Sequence, residues 1–510
     1  MVIVSPGVYS RELDFSLYVP QLAQSILGIV GTASKGPTDE ITLITDESTL
    51  IETFGEPSSD HLGLYAALRY LRRGKQLKFV RVAHYDDSAV GYLRNAANAA
   101  NAALLTAVST GSWGNNITVV VSAGTGPDPS TGVTTYKLSV RYNNVVVENY
   151  DLLLFGTAYA NYDNYIMTRI NGVSAYITVT PVPTETDLLT STTAVTMSGG
   201  DDGAPVEISD YVGTAAVSGS DTATGLQLFA DPDTVDVNLL AVPDISHRTI
   251  ISEMITLCES RADCICLIDV PYGKSVQQAV AWANGVGGGA TDPTAAINSS
   301  YCAIFYPWVQ VFDGYSNSNV WIPPSGHIAG VVAYTDHVAD PWWAPAGFNR
   351  GKLQDVLDIE HSATQGERDY MYANGNVINP IVDYAGQGIV VYGQRTGTRT
   401  SSALDRINVR RMMLYLRKAV STAVRSLLFE PNDEETWAAF RNLVNPVCDD
   451  IKARRGITEF EVVCDETTNT SAVRARNEMR GKVLIVPTRA AEMISIDFVV
   501  LNNEAQFSEF

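Results

Sequence analysis

The first part of the chain alternates short apolar runs with amphipathic segments, which is the pattern of an α/β fold. The apolar runs "ILGIVG" at 26–31, "ITLIT" at 41–45 and "LKFVRVA" at 77–83 predict buried strands. Helices are expected to begin near Asp46 and Asp60, because an acidic residue that precedes an apolar-periodic segment suits a helix N-terminus. This part of the chain therefore predicts strands alternating with helices.

From about Gly91 to Asp210 the pattern changes to period-2 alternation in a sequence rich in Thr, Ser, Val and Asn. Runs such as "YKLSVRYNNVVVENY" at 136–150 are typical of strands with one buried face. The α/β pattern resumes at "VNLLAVP", with helices expected near 246–261 and 275–284. We therefore predict an α/β core domain in two pieces, residues 26–88 and 226–350, interrupted by a β-rich insertion domain at 89–225.

The C-terminal region predicts a separate α+β domain over residues 351–501. Ser402 and Asp405 have the spacing of a capping box, which would open a helix that runs to about Leu428. A second helix is expected from Asn432 or Asp433 to near Gly456, kinked or split at Pro446. Three strands would complete the domain: "FEVVC", "GKVLIVP" and "AEMISIDFVV".

The first of these helices has two contrasting faces. Its apolar stripe consists of Val409, Met413, Leu416, Val420, Val424 and Leu427. Arg411, Lys418 and Arg425 recur every seven residues on the opposite side and form a candidate basic ridge. A solvated face and a contact with an acidic partner are equally compatible with such a ridge.

Both ends of the chain have features of extended arms. Residues 1–25 begin with "VIVSPGVYS", a short β-prone run broken by Pro6 and Gly7, and have too few apolar residues for a core of their own. Near the other end Ile494, Ile496, Phe498 and Val500 alternate with other residues, as in a strand with one buried face. That strand is expected to pair within its domain or at its edge, and residues 502–510 to continue as a C-terminal arm. An open sheet edge there would be a polymerisation site for an arm from another copy.

The composition narrows the function. The formal charge is −21, and from Ser401 onward 15 Lys and Arg stand against 16 Asp and Glu, so the first 400 residues hold most of the acidic excess. This balance argues against general nucleic-acid binding, which needs clustered basic residues. No apolar run reaches the length of a membrane span and no signal peptide is evident, so we expect assembly in a cytoplasm without membrane insertion.

Several fragments imitate catalytic or metal-binding motifs without completing them. "YGKS" at 272–275 lacks the glycine that a phosphate loop needs five positions before Gly273, and "GVGGGA" at 285–290 follows a helix where dinucleotide binding requires a strand. "DIEH" at 358–361 is too short to define a triad. His327 and His337 are expected to be surface or capping residues. The six cysteines are expected to be buried thiols: Cys258, Cys264, Cys266, Cys302, Cys448 and Cys464.

A series of motifs in order along almost the whole chain resembles the phage contractile tail sheath protein family. The opening motifs are "PGVYSREL" at 6–13 and "ILGIVGTASKGP" at 26–37. "GSWGNN" and "GGDDG" resemble the insertion-domain markers of the family, and "PPSGHIAGVVAYTD" with "APAGFNRG" resembles its central signature. The closing motifs are "INPI", "GQRT", "INVRRM", "FEPND" and "AEMISIDFVV".

This resemblance implies a structural subunit without enzymatic activity or cofactor. Family members stack as six-fold rings around an inner tube and contract to drive the tube through a bacterial envelope, so the implied partners are further copies, the tube, the baseplate and a tail terminator. The insertion would lie outermost, the C-terminal domain would face the tube, and the protein would belong to the virion. Strand exchange between subunits would involve Val4, Pro6, Gly7, Val8, Tyr9, Ile494, Ile496, Phe498 and Val500.

Three alternatives remain open at this stage. The sheath could belong to a headless bacteriocin-like particle or another injection system. The chain could also be a cytoplasmic hydrolase with a β-rich accessory domain, using the Cys264 and Cys266 pair or the "DIEH" segment. A carbohydrate-binding surface on the Thr- and Ser-rich insertion is compatible with the sheath role.

Overall fold

The computed structural model describes residues 25–190, 194–216, 222–286, 295–373 and 375–493. The described chain divides into two compact units, one that ends at Lys418 and one that begins at Ala419. Each unit has its own secondary structure and is described separately below.

The strands are numbered in chain order. They are β1 (Ile26–Gly31), β2 (Ile41–Ile44), β3 (Gln76–Arg81), β4 (Val90–Arg94), β5 (Asn101–Ala107), β6 (Ile117–Pro127), β7 (Thr134–Tyr142), β8 (Val145–Leu153), β9 (Ile177–Pro181), β10 (Val195–Thr196), β11 (Leu239–Ala241), β12 (Ile265–Asp269), β13 (Cys302–Tyr306), β14 (Val309–Asp313), β15 (Ser318–Ile322), β16 (Asp358–Ile359), β17 (Ile378–Tyr384), β18 (Gly388–Val391), β19 (Ile457–Val463) and β20 (Lys482–Pro487).

The α-helices follow the same numbering. They are α1 (Glu47–Phe54), α2 (Leu62–Leu71), α3 (Ile166–Ile170), α4 (Ile208–Val212), α5 (Arg248–Arg261), α6 (Val276–Ala283), α7 (Ser325–Val338), α8 (Gly347–Arg350), α9 (Gln365–Tyr372), α10 (Ile407–Val424), α11 (Glu434–Ala453) and α12 (Ser471–Arg474). Short 3₁₀ turns lie at Ser112–Asn116, Thr157–Tyr159, Gly225–Phe229 and Arg425–Leu427.

The larger unit is built on an eight-stranded sheet with the order β18-β17-β13-β12-β11-β1-β3-β2. The six inner strands are parallel, and the two edge strands β18 and β2 are antiparallel to their neighbours. The inner strands read as continuous apolar runs because helices cover both faces of the sheet. The segments predicted to be α/β therefore form a mostly parallel sheet with helices on both faces.

Alternate residues of each strand enter two different cores. Leu27 and Ile29 of β1 pack with α1, α2 and α7 on one face, whereas Ile26 and Val30 pack with α5 and α6 on the other.

Helix ends are fixed by local caps. The Asp46 carboxylate, for example, accepts a hydrogen bond from Thr49 N at 2.8 Å at the start of α1, where the sequence predicted a helix.

The larger unit extends well past residue 350, where the sequence analysis ended the core domain. β17 lies parallel to β13, with Ile378 opposite Ile304, and β18 completes that side of the sheet. The pairing joins segments more than 70 residues apart, so a local pattern does not reveal it. Residues from 351 to Lys418 therefore belong with the α/β core and not with the C-terminal α+β unit.

The β-rich segment between β3 and β11 contains two antiparallel sheets, with orders β10-β6-β7-β8 and β4-β5-β9. Their apolar residues form one hydrophobic cluster that includes Trp113, Leu138 and Ile177 and is separate from the two cores of the large sheet. A core of its own is what the alternating pattern of this segment predicts.

The smaller unit contains α11, α12 and the antiparallel hairpin of β19 and β20. Asp433 caps α11 by accepting from Thr436 N at 3.0 Å, which agrees with the predicted start. α11 runs through Pro446 as one helix, so the predicted split does not occur. α10 begins at Ile407, five residues after the predicted cap, because Ser402 instead forms a turn in which its hydroxyl accepts from Leu404 N.

Candidate functional site

The hairpin of β19 and β20 presents apolar side chains on its outer face. Leu484 and Val486 are 53% and 51% exposed, and they lie opposite Glu461 and Glu459 in the antiparallel register. Within the described residues the two strands pair only with each other. In that part of the chain, each strand therefore has one edge without a neighbouring strand, where a further strand could pair.

The inner face of the same hairpin is anchored on its own unit. Ile457 is buried, Phe460 lies beside the Lys452 side chain of α11, and the ammonium group is 5.7 Å from the ring centroid. The sequence analysis identified both strands but not the exposed outer face. A signal was present, because "VLIV" in β20 has apolar residues on both sides of the strand, which is typical of a strand covered on both faces.

The residues predicted for strand exchange lie outside the described part of the chain. They are Val4, Pro6, Gly7, Val8 and Tyr9 near the N-terminus and Ile494, Ile496, Phe498 and Val500 near the C-terminus. Their role stays a prediction.

The candidate basic ridge is corrected at its first member. Arg411 is only 5% exposed and forms a two-point ion pair with Asp336 of α7, with Nη1 to Oδ1 at 2.8 Å and Nη2 to Oδ2 at 2.5 Å. Ser25 donates its hydroxyl to the same carboxylate at 2.6 Å. A buried cation requires such a partner, so Arg411 is held inside the larger unit by Asp336 and does not face outward.

The other two members have different environments. Lys418 forms an ion pair with Asp236, and Arg425 is exposed in the 3₁₀ turn after α10. The predicted ridge of three equivalent cations is thus reduced to Lys418 and Arg425, whose contact with a partner stays a prediction.

The two insertion-domain markers meet in space. Asn115 of "GSWGNN" exchanges hydrogen bonds with Gly200 of "GGDDG", at 2.8 and 2.9 Å, and Ser112 donates to Asp202 from its backbone N–H and from its hydroxyl. These contacts close a loop of 85 residues. They hold together two segments of the insertion that are far apart in the sequence.

Arg81, the last residue of β3, ties this part of the insertion to the large sheet. Its guanidinium donates to the carbonyls of Ala33 and Gly36, each at 2.9 Å, and to the Thr110 hydroxyl at 2.9 Å, with Asp86 at 3.4 Å. A buried arginine that satisfies several backbone acceptors holds its surroundings rigid. The insertion is therefore firmly attached to the core.

The carboxyl ends of the parallel strands, where α/β sheets commonly bind ligands, are occupied by structural hydrogen bonds. Asp244, which follows β11, accepts from Thr32 N at 2.5 Å and from Gly63 N in the first turn of α2. Asp269, the last residue of β12, accepts from Ser325 N at 2.9 Å at the start of α7. Burial raises the pKa of Asp244 to about 6 and that of Asp269 to about 7.

Asp269→Asn is expected to stabilise the subunit at pH 8 and to have little effect near pH 4. The asparagine oxygen still accepts from Ser325, but the buried charge is gone. Because the pKa of Asp269 is raised from 3.8 to about 7 in the folded state, the wild type loses stability as the pH rises through this window. The gain at pH 8 should be on the order of 2–4 kcal/mol in urea unfolding of the dilute subunit.

Asp46→Asn is the matched control for this experiment. Hydrogen bonds from Ser48 and Thr49 lower the pKa of this exposed cap, so its ionisation is complete well below pH 4. Its effect should be a destabilisation that does not change between pH 4.5 and 8. A pH-independent effect of Asp269→Asn would show that this carboxyl group is ionised throughout.

The catalytic look-alike "YGKS" has a structural role, whereas most of "GVGGGA" lies outside the described residues. Ser275 of "YGKS" is the N-cap of α6, where its hydroxyl and the Gln278 side chain form a capping box.

All six cysteines are free and buried, as predicted. His337 is exposed, as expected, but the prediction for His327 was wrong: it is buried, because α7 is packed on nearly all sides.

Within the described ranges, no group of three or more His, Cys, Asp or Glu side chains is placed to hold a metal ion. The same residues include no helix with the length and apolar character of a membrane span.

Three family models match successive parts of the chain. The phage tail sheath protein central domain matches residues 215–397, the phage tail sheath C-terminal domain matches 399–500, and the N-terminal region of tail sheath protein Gp18 domain III matches 25–82. The central-domain match runs through β17 and β18, in agreement with their place in the large sheet. The match to the domain III N-terminal region and the central-domain match leave the β-rich insertion between them.

Curated relatives with sequence similarity include two tail sheath proteins of phages. The protein of Vibrio phage KVP40 is 34% identical over 316 residues, which cover 58% of this chain and 47% of the relative. That of Enterobacteria phage T4 is 33% identical over 309 residues, covering 58% and 46%. The chain thus spans about half the length of the curated relatives it matches.

Solved structures share the fold over nearly the whole chain. The sheath tail protein from Listeria innocua has a TM-score of 0.60 at 15% identity, covering 92% of this chain and 96% of that one. The contracted sheath complex of an extracellular contractile injection system, PVC, has a TM-score of 0.56 at 16% identity, covering 98% of each chain. At these identities the likeness concerns the fold alone.

Proposed function

The chain belongs to the phage contractile tail sheath family, and from this premise we propose that it is the structural subunit of a contractile sheath. Subunits polymerise as stacked six-fold rings around an inner tube. Contraction of the sheath drives the tube through a bacterial envelope during DNA ejection.

The C-terminal hairpin carries this proposal. β19 and β20 leave an outer edge on each side within the described residues, and the face away from α11 exposes Leu484 and Val486. An added strand forms main-chain hydrogen bonds along such an edge and packs its alternate side chains beside the exposed ones. Arms at residues 1–25 and 502–510 from neighbouring copies supply these strands and keep subunits linked while their bodies rotate.

The larger unit is suited to move as one body during contraction. Its sheet is covered on both faces, and close-packed cores of this kind transmit force without deforming. The contacts of Arg81 and of the two insertion-domain markers make the insertion part of the same body. The stroke is therefore a rearrangement between subunits, with the insertion outermost.

The partners follow from this role. They are further copies, the inner tube protein, and the baseplate and tail terminator at the ends of the sheath. The curated relatives are phage proteins, which favours a virion tail, assembled in the bacterial cytoplasm, over a headless particle. The match to a family of structural proteins gives no support to the hydrolase alternative. The proposed function includes no cofactor.

The tube-facing surface of the subunit is proposed to include Lys418 and Arg425. Lys418 lies in the second half of α10, and Arg425 lies in the 3₁₀ turn that follows this helix. Since Lys418 already pairs with Asp236, its contact with an acidic tube would exchange one carboxylate for another.

The purified full-length chain is expected to form rings or hollow tubes visible by negative-stain microscopy. Deletion of residues 1–20 or of 495–510 should abolish the tubes, because the linking strands are lost, while circular dichroism shows a folded subunit. A full-length chain that stays monomeric at every salt concentration would contradict the proposal. Tubes formed equally well by both deletion variants would contradict strand exchange but not the sheath role.

A further inference from the structure

The residue that joins the proposed N-terminal arm to the large sheet is held by side chains of two helices. Ser25 is the last residue of that arm and directly precedes β1. Its hydroxyl donates to the Asp336 carboxylate of α7 at 2.6 Å, and its carbonyl oxygen accepts from the Tyr70 hydroxyl of α2. Asp336 is paired in turn with Arg411 of α10. Three helices that are distant in the sequence thus converge on the start of β1.

The Tyr70 hydroxyl is positioned for this contact by the packing of its ring. Tyr70 is fully buried, and a Cβ atom on Gly74 would lie within 2.7 Å of three atoms of the ring, so a glycine there leaves room for it. The hydroxyl also contacts the Gln76 carbonyl at 2.9 Å, and Gln76 lies opposite Ile26 in the ladder of β3 and β1. Burial raises the pKa of Tyr70, so the hydroxyl keeps its proton. One buried donor therefore ties the starts of β1 and β3 to α2.

The Asp336 carboxylate is an equally well-placed acceptor. It is 8% exposed, and its two oxygens accept from Arg411 Nη1 at 2.8 Å and Nη2 at 2.5 Å. Hydrogen bonds to a charged acceptor are stronger than those between neutral groups. Because the ion pair fixes the carboxylate, the Ser25 hydroxyl donates to an acceptor that is already in position.

These contacts lie where a pull on the arm enters the subunit. In the proposed function the arms link neighbouring subunits while their bodies rotate. Force on the arm reaches the larger unit through Ser25, whose carbonyl carbon is bonded to Ile26 of β1. β1 is an inner strand between β11 and β3, so its removal would divide the large sheet. Contacts at Ser25 are loaded before the ladder of β1.

We propose that these four residues anchor the N-terminal arm, so that a pull on the arm is shared by α2, α7 and α10 and does not act on β1 alone. They are Ser25, Tyr70, Asp336 and Arg411. This inference rests on the proposed function, because only a subunit linked through its arm experiences such a pull. A contact that merely stabilises the subunit breaks when the whole unit unfolds, whereas an anchor breaks first when the arm is pulled.

The test is a force-clamp measurement on the folded full-length chain, with one handle at each end so that the pull acts on the arm. Rupture of the larger unit is recognised because it releases more chain than the smaller unit. Tyr70→Phe removes the hydroxyl and keeps the ring beside Gly74. We expect this variant to rupture about tenfold faster than the wild type at the same force, which corresponds to about 1.4 kcal/mol. Ser25→Ala should also rupture faster, because it loses the bond to Asp336.

Tyr65→Phe is the matched control. Tyr65 lies in the same helix, is 2% exposed, and donates its hydroxyl to the Asp313 carboxylate at 2.9 Å. Both tyrosine variants should lose stability in urea unfolding, since each leaves a buried acceptor without its donor. The contact of Tyr65 does not involve Ser25 or β1, so it is still intact when the arm is pulled off. Its rupture rate should therefore stay within about twofold of the wild type.

Two results would overturn the proposal. The first is an equal rise in rupture rate for Tyr70→Phe and Tyr65→Phe, which would make Tyr70 an ordinary stabilising residue. The second is a wild-type rupture rate for Tyr70→Phe in spite of its lower stability in urea, which would show that the pull bypasses the hydroxyl. Neither measurement requires tubes, so failure of the anchor is distinguishable from failure of the sheath role, which a full-length chain without tubes would show.

Discussion

Val486→Lys is expected to abolish tube formation while leaving the subunit folded. Val486 lies in β20 on the outer face of the C-terminal hairpin and is half exposed in the subunit, so the lysine does not disturb a core. It lies opposite Glu459, and an opposite-charge pair across two strands is favourable. In the sheath, however, the added strand would have to pack beside a charged side chain.

The expected effect is large because the contact is repeated in every subunit. Burying the exposed part of a valine contributes about 1 kcal/mol to the free energy of association between subunits. Burying a lysine charge in its place makes this contribution unfavourable. Lysine on an exposed strand is also a common device by which proteins block strand addition. A loss of about 1.5 kcal/mol lowers each association constant more than tenfold, and the loss is multiplied along the polymer.

Val145→Lys provides the control, since it makes the same change at an exposed strand valine of the insertion. Val145 is 65% exposed and lies opposite Tyr142, so the lysine again faces no like charge. Negative-stain counts of tubes should be near wild type for this variant and reduced at least tenfold for Val486→Lys. Equal tube yields from the two variants would show that the outer face of the hairpin is not part of a subunit contact.

The parts of the fold that follow from the sequence are those set by local burial. "ILGIVG" reads as a strand because all six residues of β1 are buried between two layers of helices. The insertion is recognisable because its strands face water on one side and thus alternate. The start of α11 at Asp433 could be predicted, because an N-cap side chain bonds to a backbone N–H no more than three residues away.

The errors concern contacts between distant segments. The helical spacing placed Arg411 correctly on the side away from Val409, but it gave no sign that Asp336, 75 residues earlier, covers that side. β17 looked like part of the following domain because its partner β13 lies far back in the chain. Pattern analysis shows which face of an element is apolar, whereas a buried ion pair or a parallel partner depends on tertiary packing.

The candidate assembly site was only partly predictable for the same reason. Both strands of the hairpin were identified from their apolar runs, and the terminal residues that would complete their sheet lie outside the described part of the chain. The exposure of Leu484 and Val486 became visible only once α11 was seen to cover one face of the hairpin.

Gly326→Ala is expected to destabilise the larger unit by at least about 3 kcal/mol. Gly326 lies in the first turn of α7, directly against α2. A Cβ atom there would be 2.7 Å from the carbonyl carbon of Ala66, and closer still to the Cα and the carbonyl oxygen of that residue. These are backbone atoms in the middle of a helix, so they do not move aside as a side chain would. The two helices would have to separate and give up packing on one face of the sheet.

Gly330→Ala, one turn further along α7, separates this clash from the general effect of replacing a helical glycine. The nearest atom to its added Cβ is the Arg69 carbonyl oxygen at 3.4 Å, an ordinary contact. This variant should be stabilised by up to about 1 kcal/mol, because alanine loses less backbone entropy than glycine on folding. Urea unfolding of the two variants should therefore differ by about 4 kcal/mol, in opposite directions from the wild type. Equal stabilities would show that α2 and α7 are not in backbone contact at Ala66.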